Sequence, residues 1–322
     1  MVVIPIWIVI FYFAFAVKPE ITGDLGALGE IPFGNKYVQY LNNDVLKDNR
    51  VVEYNRKLPS KVYEVVSVGD SFSQREIEGY QNYLAHKLDC DVLNIRYLIK
   101  SPEQNAIDLL NSGFLKRKGA KILIVETAER AFFRRLKDLD FSIRDYSKDS
   151  FEVNTKTKDD NRPLLNRTTA WIRLIVNYQN PVKHARLTKN FFHHDKYSSD
   201  LFFYYEDLNF ENITTSELEL CHGNLFKLDS LCKENGIKLI YLMAAIKYDV
   251  YKNYFVDKRY KTNPILQTFS TLDKTDFFVN TYNIFNPIVN EYPYDLYKVN
   301  DTHWTPVGHK LVANEIYKRI KN

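Results

Sequence analysis

A chain of 322 residues has room for one large α/β domain or two small ones. Its hydrophobic content of 45% and aromatic content of 15% supply a core and exclude a disordered protein. With 44 basic and 40 acidic residues the net charge is +4, too mild to point to a nucleic-acid partner, and no nucleic-acid-binding motif is present. Cys90, Cys221 and Cys232 are odd in number and lack metal-ligand spacing, which excludes a full disulfide framework; buried free thiols are expected.

Val2 to Val17 carries no charge, and Lys18 is the first charged residue. As a helix it reaches roughly 24 Å, short of the roughly 30 Å hydrocarbon core of a bilayer. No basic region precedes it and no small-residue cleavage site follows, so it reads as a signal anchor rather than a cleaved leader. One anchor would leave the rest of the chain outside the cytoplasmic membrane, an orientation taken from function because Lys18 alone sets no topology. The next stretch carries Gly23, Gly26, Gly29, Pro32 and Gly34 and reads as a tether. The expected division is an anchor over 1–18, a tether over 19–60 and one domain over 61–322.

Val62–Val68 is rich in β-branched residues and predicts a buried strand. Gly69-Asp70-Ser71-Phe72-Ser73 breaks it, and Ile77, Tyr80, Leu84 and Leu88 follow at helical spacing. A strand-to-helix turn would set Ser71 at the top of the sheet beside free N–H groups that can stabilise an oxyanion. Asp91–Ile95 predicts a second strand, Ser101-Pro102-Glu103 opens a helix through Leu110, and Lys121–Glu126 predicts a third strand. Residues 134–212 are polar and break the rhythm, reading as an insertion between the third and fourth strands and a possible lid. Its aromatic residues, Trp171, Tyr178, Phe191, Phe192, Phe202, Phe203, Tyr204 and Tyr205, suit either sugar stacking or plain packing. His193-His194-Asp195 lies in it, but adjacent histidines do not converge on one ion and no matching ligands occur elsewhere, so no metal site is expected.

Thr215–Asn235 predicts a long helix stopped by Gly236, Ile237–Ala244 a fourth strand, and Phe277–Asn280 a fifth. Pro306–Lys321 predicts the last helix, with Thr305 as its cap. Strands alternating with helices imply an α/β fold, a parallel sheet covered on both faces. Just before the last helix stands Asp301-Thr302-His303-Trp304. A serine hydroxyl needs an imidazole to take its proton and a carboxylate to orient that imidazole. Ser71, His303 and Asp301 supply the three roles.

A serine in the first block with Asp-x-His in the last resembles the SGNH (GDSL-like) superfamily of esterases and acyltransferases. Gly69–Ser73, Gly79–Leu84, Ser101–Gln104, Lys247–Tyr251, Leu296-Tyr297 and Asp301–Trp304 with Gly308 are similar to the SGNH-like domains of bacterial exopolysaccharide O-acetylation proteins, alginate-type included. The likeness spans roughly 61–126 and 215–320, and Asp301-x-His303-Trp304 is its most specific part. It implies a three-layer SGNH-type fold and a cofactor-free reaction through an acyl-serine. It also implies a polysaccharide acceptor, a membrane-bound acyltransferase as donor, and a domain held at the cell membrane. The sequence departs from the superfamily at the oxyanion positions: Leu98-Ile99-Lys100-Ser101 has no glycine, and Glu126-Thr127-Ala128-Glu129-Arg130 has no asparagine. The backbone N–H groups of Ser71 and Ser101, with Arg130 as a charged donor, are the candidates left. Lys247, Tyr251 and Trp304 complete the oxyanion and substrate candidates. Alternative roles also stand: Asp70 bracing the turn, Glu126 and Arg130 as a plain ion pair, and Lys247 and Tyr251 lining a rim. An acetylesterase and a non-catalytic polysaccharide-binding or assembly module are the competing functions.

Overall fold

In a computed structural model the described residues are 24–25, 46–54, 61–96, 100–142, 182–194, 197–208, 214–260, 269–291 and 295–322. The apolar stretch Val2–Val17 lies outside them, as do Trp171 and Tyr178. Among the described residues no helix is long and apolar enough to cross a membrane.

Among the described residues eight strands are formed: β1 Val51–Glu53, β2 Val65–Gly69, β3 Val92–Arg96, β4 Ile122–Ala128, β5 Val182–Arg186, β6 Asp200–Tyr204, β7 Lys238–Ala244 and β8 Phe278–Asn280. The described helices are α1 Tyr80–Leu88, α2 Pro102–Asn111, α3 Phe114–Arg117, α4 Glu129–Lys137, α5 Thr215–Glu234, α6 Lys247–Tyr251, α7 Thr281–Phe285 and α8 Pro306–Lys321. Six strands make one parallel sheet in the order β1-β3-β2-β4-β7-β8. The burial of β2, β4 and β7 on both faces explains their mainly apolar composition. Two apolar clusters follow, one on each face. Phe72, Leu84, Ile240 and Ile316 belong to the first, and Val66, Leu110, Phe132 and Leu228 to the second.

The predicted strands fall in this sheet, with two differences at its start. Strand β2 begins at Val65 rather than Val62, and Val62 is 61% exposed. The sheet also has an edge strand inside the expected tether, where Val51 pairs with Val92 and Glu53 with Asn94. Three residues are too short a run to carry a visible alternation. Residues between β4 and β7 include the antiparallel hairpin β5-β6, bridged to the main body where Leu187 pairs with Phe255. Phe192, Phe202 and Phe203 are buried there, so packing accounts for these three aromatics, while Tyr205 is 49% exposed. The three cysteines are free, with Cys221 and Cys232 buried.

The turn after β2 depends on Gly69. A Cβ there would stand 2.0 Å from Ser73 Oγ and 2.8 Å from Glu126 Oε2, both of them bonded parts of a buried network. Gly69→Ala is therefore expected to cost about 3 kcal/mol, the upper end for overpacking, in urea-induced unfolding. A variant as stable as the parent would show that the turn is not packed in this way.

Candidate active site

Ser71 opens a three-residue 3-10 turn, Ser71–Ser73, at the carboxyl end of β2. The expected helix from Ile77 starts later, because a second 3-10 turn, Glu76–Glu78, and the extended Gly79 intervene before α1. A short turn carries little macrodipole, so the field at Ser71 comes from side chains.

Beneath the turn, Glu126 at the end of β4 is fully buried, and its Oε2 accepts from the Asp70 N–H at 2.8 Å and from Ser73 Oγ at 2.9 Å. Burial, with the Asp70 charge nearby, pushes the Glu126 carboxyl well above its ordinary range. The carbonyl of Ser73 accepts from Gln81 at 2.9 Å and from Asn94 at 2.8 Å. Ser71 itself is exposed above this network.

His303 comes from the other end of the chain. Tyr297 and Trp304 form an antiparallel bridge, and the Lys298 N–H donates to the His303 carbonyl at 3.1 Å, so residues 297–304 close into a tight loop. Thr305 caps α8 by accepting from the Gly308 N–H at 3.2 Å, as its position before Pro306 predicted. A Cβ on Gly308 would lie 2.6 Å from the Leu296 carbonyl and 2.9 Å from Trp304 Cβ, so glycine lets the helix start close against the loop. Trp304 is fully buried between Phe72 and Phe285, with ring centroids 4.5 and 5.8 Å away. It is a wedge between the two loops rather than a surface for substrate.

The structure brings Ser71, His303 and Asp301 together. Ser71 Oγ lies 2.7 Å from His303 Nε2, and His303 Nδ1 is hydrogen-bonded to Asp301 Oδ1. A carboxylate on Nδ1 fixes the proton there and leaves the Nε2 lone pair facing the serine hydroxyl, as a general base requires. Burial works to raise Asp301, but His303 and then Arg75 outweigh it and hold the carboxyl well below its ordinary range. Arg75 Nη2 is 3.5 Å from Asp301 Oδ1, and the His303 N–H donates to the same oxygen at 2.9 Å.

The remaining predicted residues sit as follows. Asp70 braces the turn: its Oδ1 accepts from the Ser71 N–H at 3.0 Å, and its Oδ2 pairs with Arg135 at 2.6 Å. Burial pushes Asp70 upward, but Arg135 and the bonded N–H groups bring it below its ordinary value. The Ser71 amide is thus already engaged and is not a free oxyanion donor in this conformation. The Ser101 hydroxyl caps α2, accepting from the Gln104 N–H at 3.2 Å. Arg130 neither pairs with Glu126 nor bonds Ser71. It stacks on Tyr204, 4.7 Å from the ring centroid, and pairs with buried Asp207 at 3.4 Å.

Lys247 is not a rim residue. Its Nζ is buried and donates to the carbonyls of Lys298 at 2.7 Å, Val299 at 2.8 Å and Asp301 at 3.4 Å, with Phe192 5.1 Å away on another side. Burial pulls the ammonium down to about 7, against the upward pull of Asp24, Asp301, Asp295 and Asp207. Tyr251 is buried behind the same loop, its ring 6.0 Å from that of Tyr297 and 5.2 Å from that of Phe192. Both residues build the loop rather than meet a substrate. His193 binds Asp295 through Nδ1 at 2.7 Å, and His194 Nδ1 accepts from the Tyr197 N–H at 3.1 Å, so this histidine pair is committed to the chain.

Sequence reasoning missed one carboxylate. Asp24 accepts from the Thr302 N–H at 2.8 Å and from the Thr302 hydroxyl, and its Oδ2 lies 3.6 Å from His303 Nδ1. It sits in a glycine-rich stretch with no spacing to mark it. Comparison of the chain with protein-family models, with curated proteins and with solved structures found no match.

Lys247→Met should loosen the loop of residues 297–304 and remove the donor that three of its carbonyls share. The expected loss is about 2–3 kcal/mol, on the scale of a buried group losing its partner, with slower reaction of Ser71 toward an organophosphonate. Unchanged unfolding and unchanged reactivity together would remove Lys247 from the loop's support.

Arg130→Ala has a pH signature. Burial pushes Asp207 up to about 6 even with Arg130 beside it, so the folded state holds its proton more tightly than the unfolded chain does. Stability linked to Asp207 is full below about pH 4 and declines as pH rises through about 6. Loss of the cation should open a gap between variant and parent of about 3 kcal/mol at pH 8 that nearly closes at pH 4.5. An equal gap at both values, or a collapse of turnover per folded molecule, would move Arg130 into the chemistry.

Proposed function

We propose that this chain is an SGNH-type serine O-acyltransferase acting on extracytoplasmic polysaccharide, held at the cell membrane by Val2–Val17. The observation that carries the reading is the line of Ser71 Oγ, His303 Nε2, His303 Nδ1 and Asp301, with the serine exposed and the other two buried. The six-stranded parallel sheet with helices on both faces supports an SGNH-type three-layer fold, and residues 134–212 would be its insertion.

Ser71 Oγ attacks the carbonyl carbon of an acyl ester while His303 Nε2 takes the hydroxyl proton. Asp301 stabilises the imidazolium that forms. Collapse of the tetrahedral intermediate breaks the bond to the leaving alcohol, which receives the proton from Nε2, and leaves an acyl-serine. In the second half His303 takes the proton of an incoming sugar hydroxyl, whose oxygen attacks the acyl carbon. Departure of Ser71 Oγ then takes that proton back. The donor would come from a membrane-bound acyltransferase, and no cofactor enters the balance.

The exposure of Ser71 favours a second reading, a carbohydrate acetylesterase, because water reaches an open serine as readily as a sugar does. A positioned acceptor gains from effective molarity, and that gain separates the two. With an activated acetyl ester, the expected outcome is slow hydrolysis in water and acetylated oligosaccharide once an acceptor glycan is supplied, both abolished by Ser71→Ala. Fast hydrolysis indifferent to every glycan would establish the esterase. A chain that an organophosphonate never labels at Ser71 would instead be a non-catalytic binding or assembly module.

A further inference from the structure

The loop that carries Asp301 and His303 has a second carboxylate upon it, from a segment 278 residues away in sequence. Asp24 takes both donors of Thr302, the residue between the catalytic pair: the N–H at 2.8 Å through Oδ1, and the hydroxyl through Oδ2. The contact is fastened by the next residue, fully buried Leu25, whose N–H donates to the Asn300 carbonyl at 3.2 Å. The same Oδ2 stands 3.6 Å from His303 Nδ1, so that nitrogen has a second carboxylate near it besides Asp301.

We infer that Asp24 is a positioning residue of the proposed reaction, clamping Thr302 so that Asp301 and His303 keep their alignment toward Ser71. The inference rests on the acyl-serine reading for its catalytic consequence, but its geometry does not. A loop held only from beneath, by Lys247 on its carbonyls, would be free to rotate its outward N–H and hydroxyl groups. Asp24 closes that freedom from the opposite side. The two carboxylates divide the work: Asp301 is kept ionised by His303 and Arg75, whereas burial and the Asp301 charge push Asp24 above its ordinary value.

A second consequence follows from chain length. Val17 and Asp24 are seven positions apart, and an extended chain spans at most about 3.6 Å per residue. Whatever path those residues take, the catalytic loop is leashed within roughly 25 Å of the end of the apolar stretch. A stretch lying in a bilayer would therefore hold the site near the membrane surface, where an acyl donor embedded in the membrane can reach it.

The test uses the full-length chain carrying Asp24→Asn or Asp24→Ala, with active sites counted by organophosphonate titration so that only folded, reactive molecules are compared. For an activated acetyl ester, kcat per titrated site is expected to fall about 10-fold in Asp24→Asn and up to about 100-fold in Asp24→Ala, the range for a misplaced catalytic group, with KM little changed. Hydrogen exchange at Thr302 is the second readout and does not depend on turnover: its amide should be protected in the parent and exchange faster in Asp24→Ala. A parent that shows no Ser71-dependent labelling would sink the acyl-serine reading, and the exchange data alone would then judge the clamp. Unchanged kcat in both variants, or Thr302 exchange identical to the parent, overturns the inference.

Discussion

A buried ammonium sets the terms for this site. Lys247 is buried, and its Nζ donates to the carbonyls of Lys298, Val299 and Asp301. A charge in that position is tolerable only if those carbonyls converge on it. The chain from 298 to 301 must therefore curl around Nζ, and the curl turns the Asp301 side chain toward His303. The loop's outer face is then shaped by what remains: the Tyr297–Trp304 bridge and the start of α8 packed tightly at Gly308.

The nucleophile's loop is built by the same logic with the opposite sign. Glu126, whose carboxyl burial pushes well above its ordinary range, receives the Asp70 N–H and Ser73 Oγ, and the absence of a side chain at Gly69 lets the carboxyl approach. Asp70 and Arg135 form the rim of this structure, and Asp70 also caps the Ser71 N–H. Rigid loops from opposite ends of the sequence thus meet through Phe72 and Trp304, and Ser71 and His303, 232 residues apart, need only one hydrogen bond to complete the arrangement.

The sequence was informative where a physical signal is local and periodic. Strands β2, β3, β4 and β7 are visible because burial favours short stretches rich in β-branched and other apolar residues, and α8 because Thr305 and Pro306 mark a helix start. Ser71, Asp301 and His303 were readable because each adjoins such an element. Strand β1 was not, since Val51–Glu53 is held by the ladder to β3 and not by any pattern of its own. Lys247 and Tyr251 were legible as residues near the site but not as its buried supports, because a lysine's burial depends on carbonyls about fifty residues on. The partners of Arg130 were not legible for the same reason: Tyr204 ends β6 and Asp207 lies just beyond it, far along the chain from Glu126. Asp24 gave no signal, being a lone acid whose meaning comes wholly from Thr302.

The central claim is that Ser71 becomes acylated because His303 takes its proton. Rapid quenching of the enzyme after mixing with an activated acetyl ester, followed by peptide mass spectrometry, tests it directly. The account predicts one acetyl group per chain on the peptide that contains Ser71, formed before the steady state and lost in both Ser71→Ala and His303→Ala. An acetyl group that lands on another residue, or that still forms on Ser71 at the parent rate in His303→Ala, would contradict it.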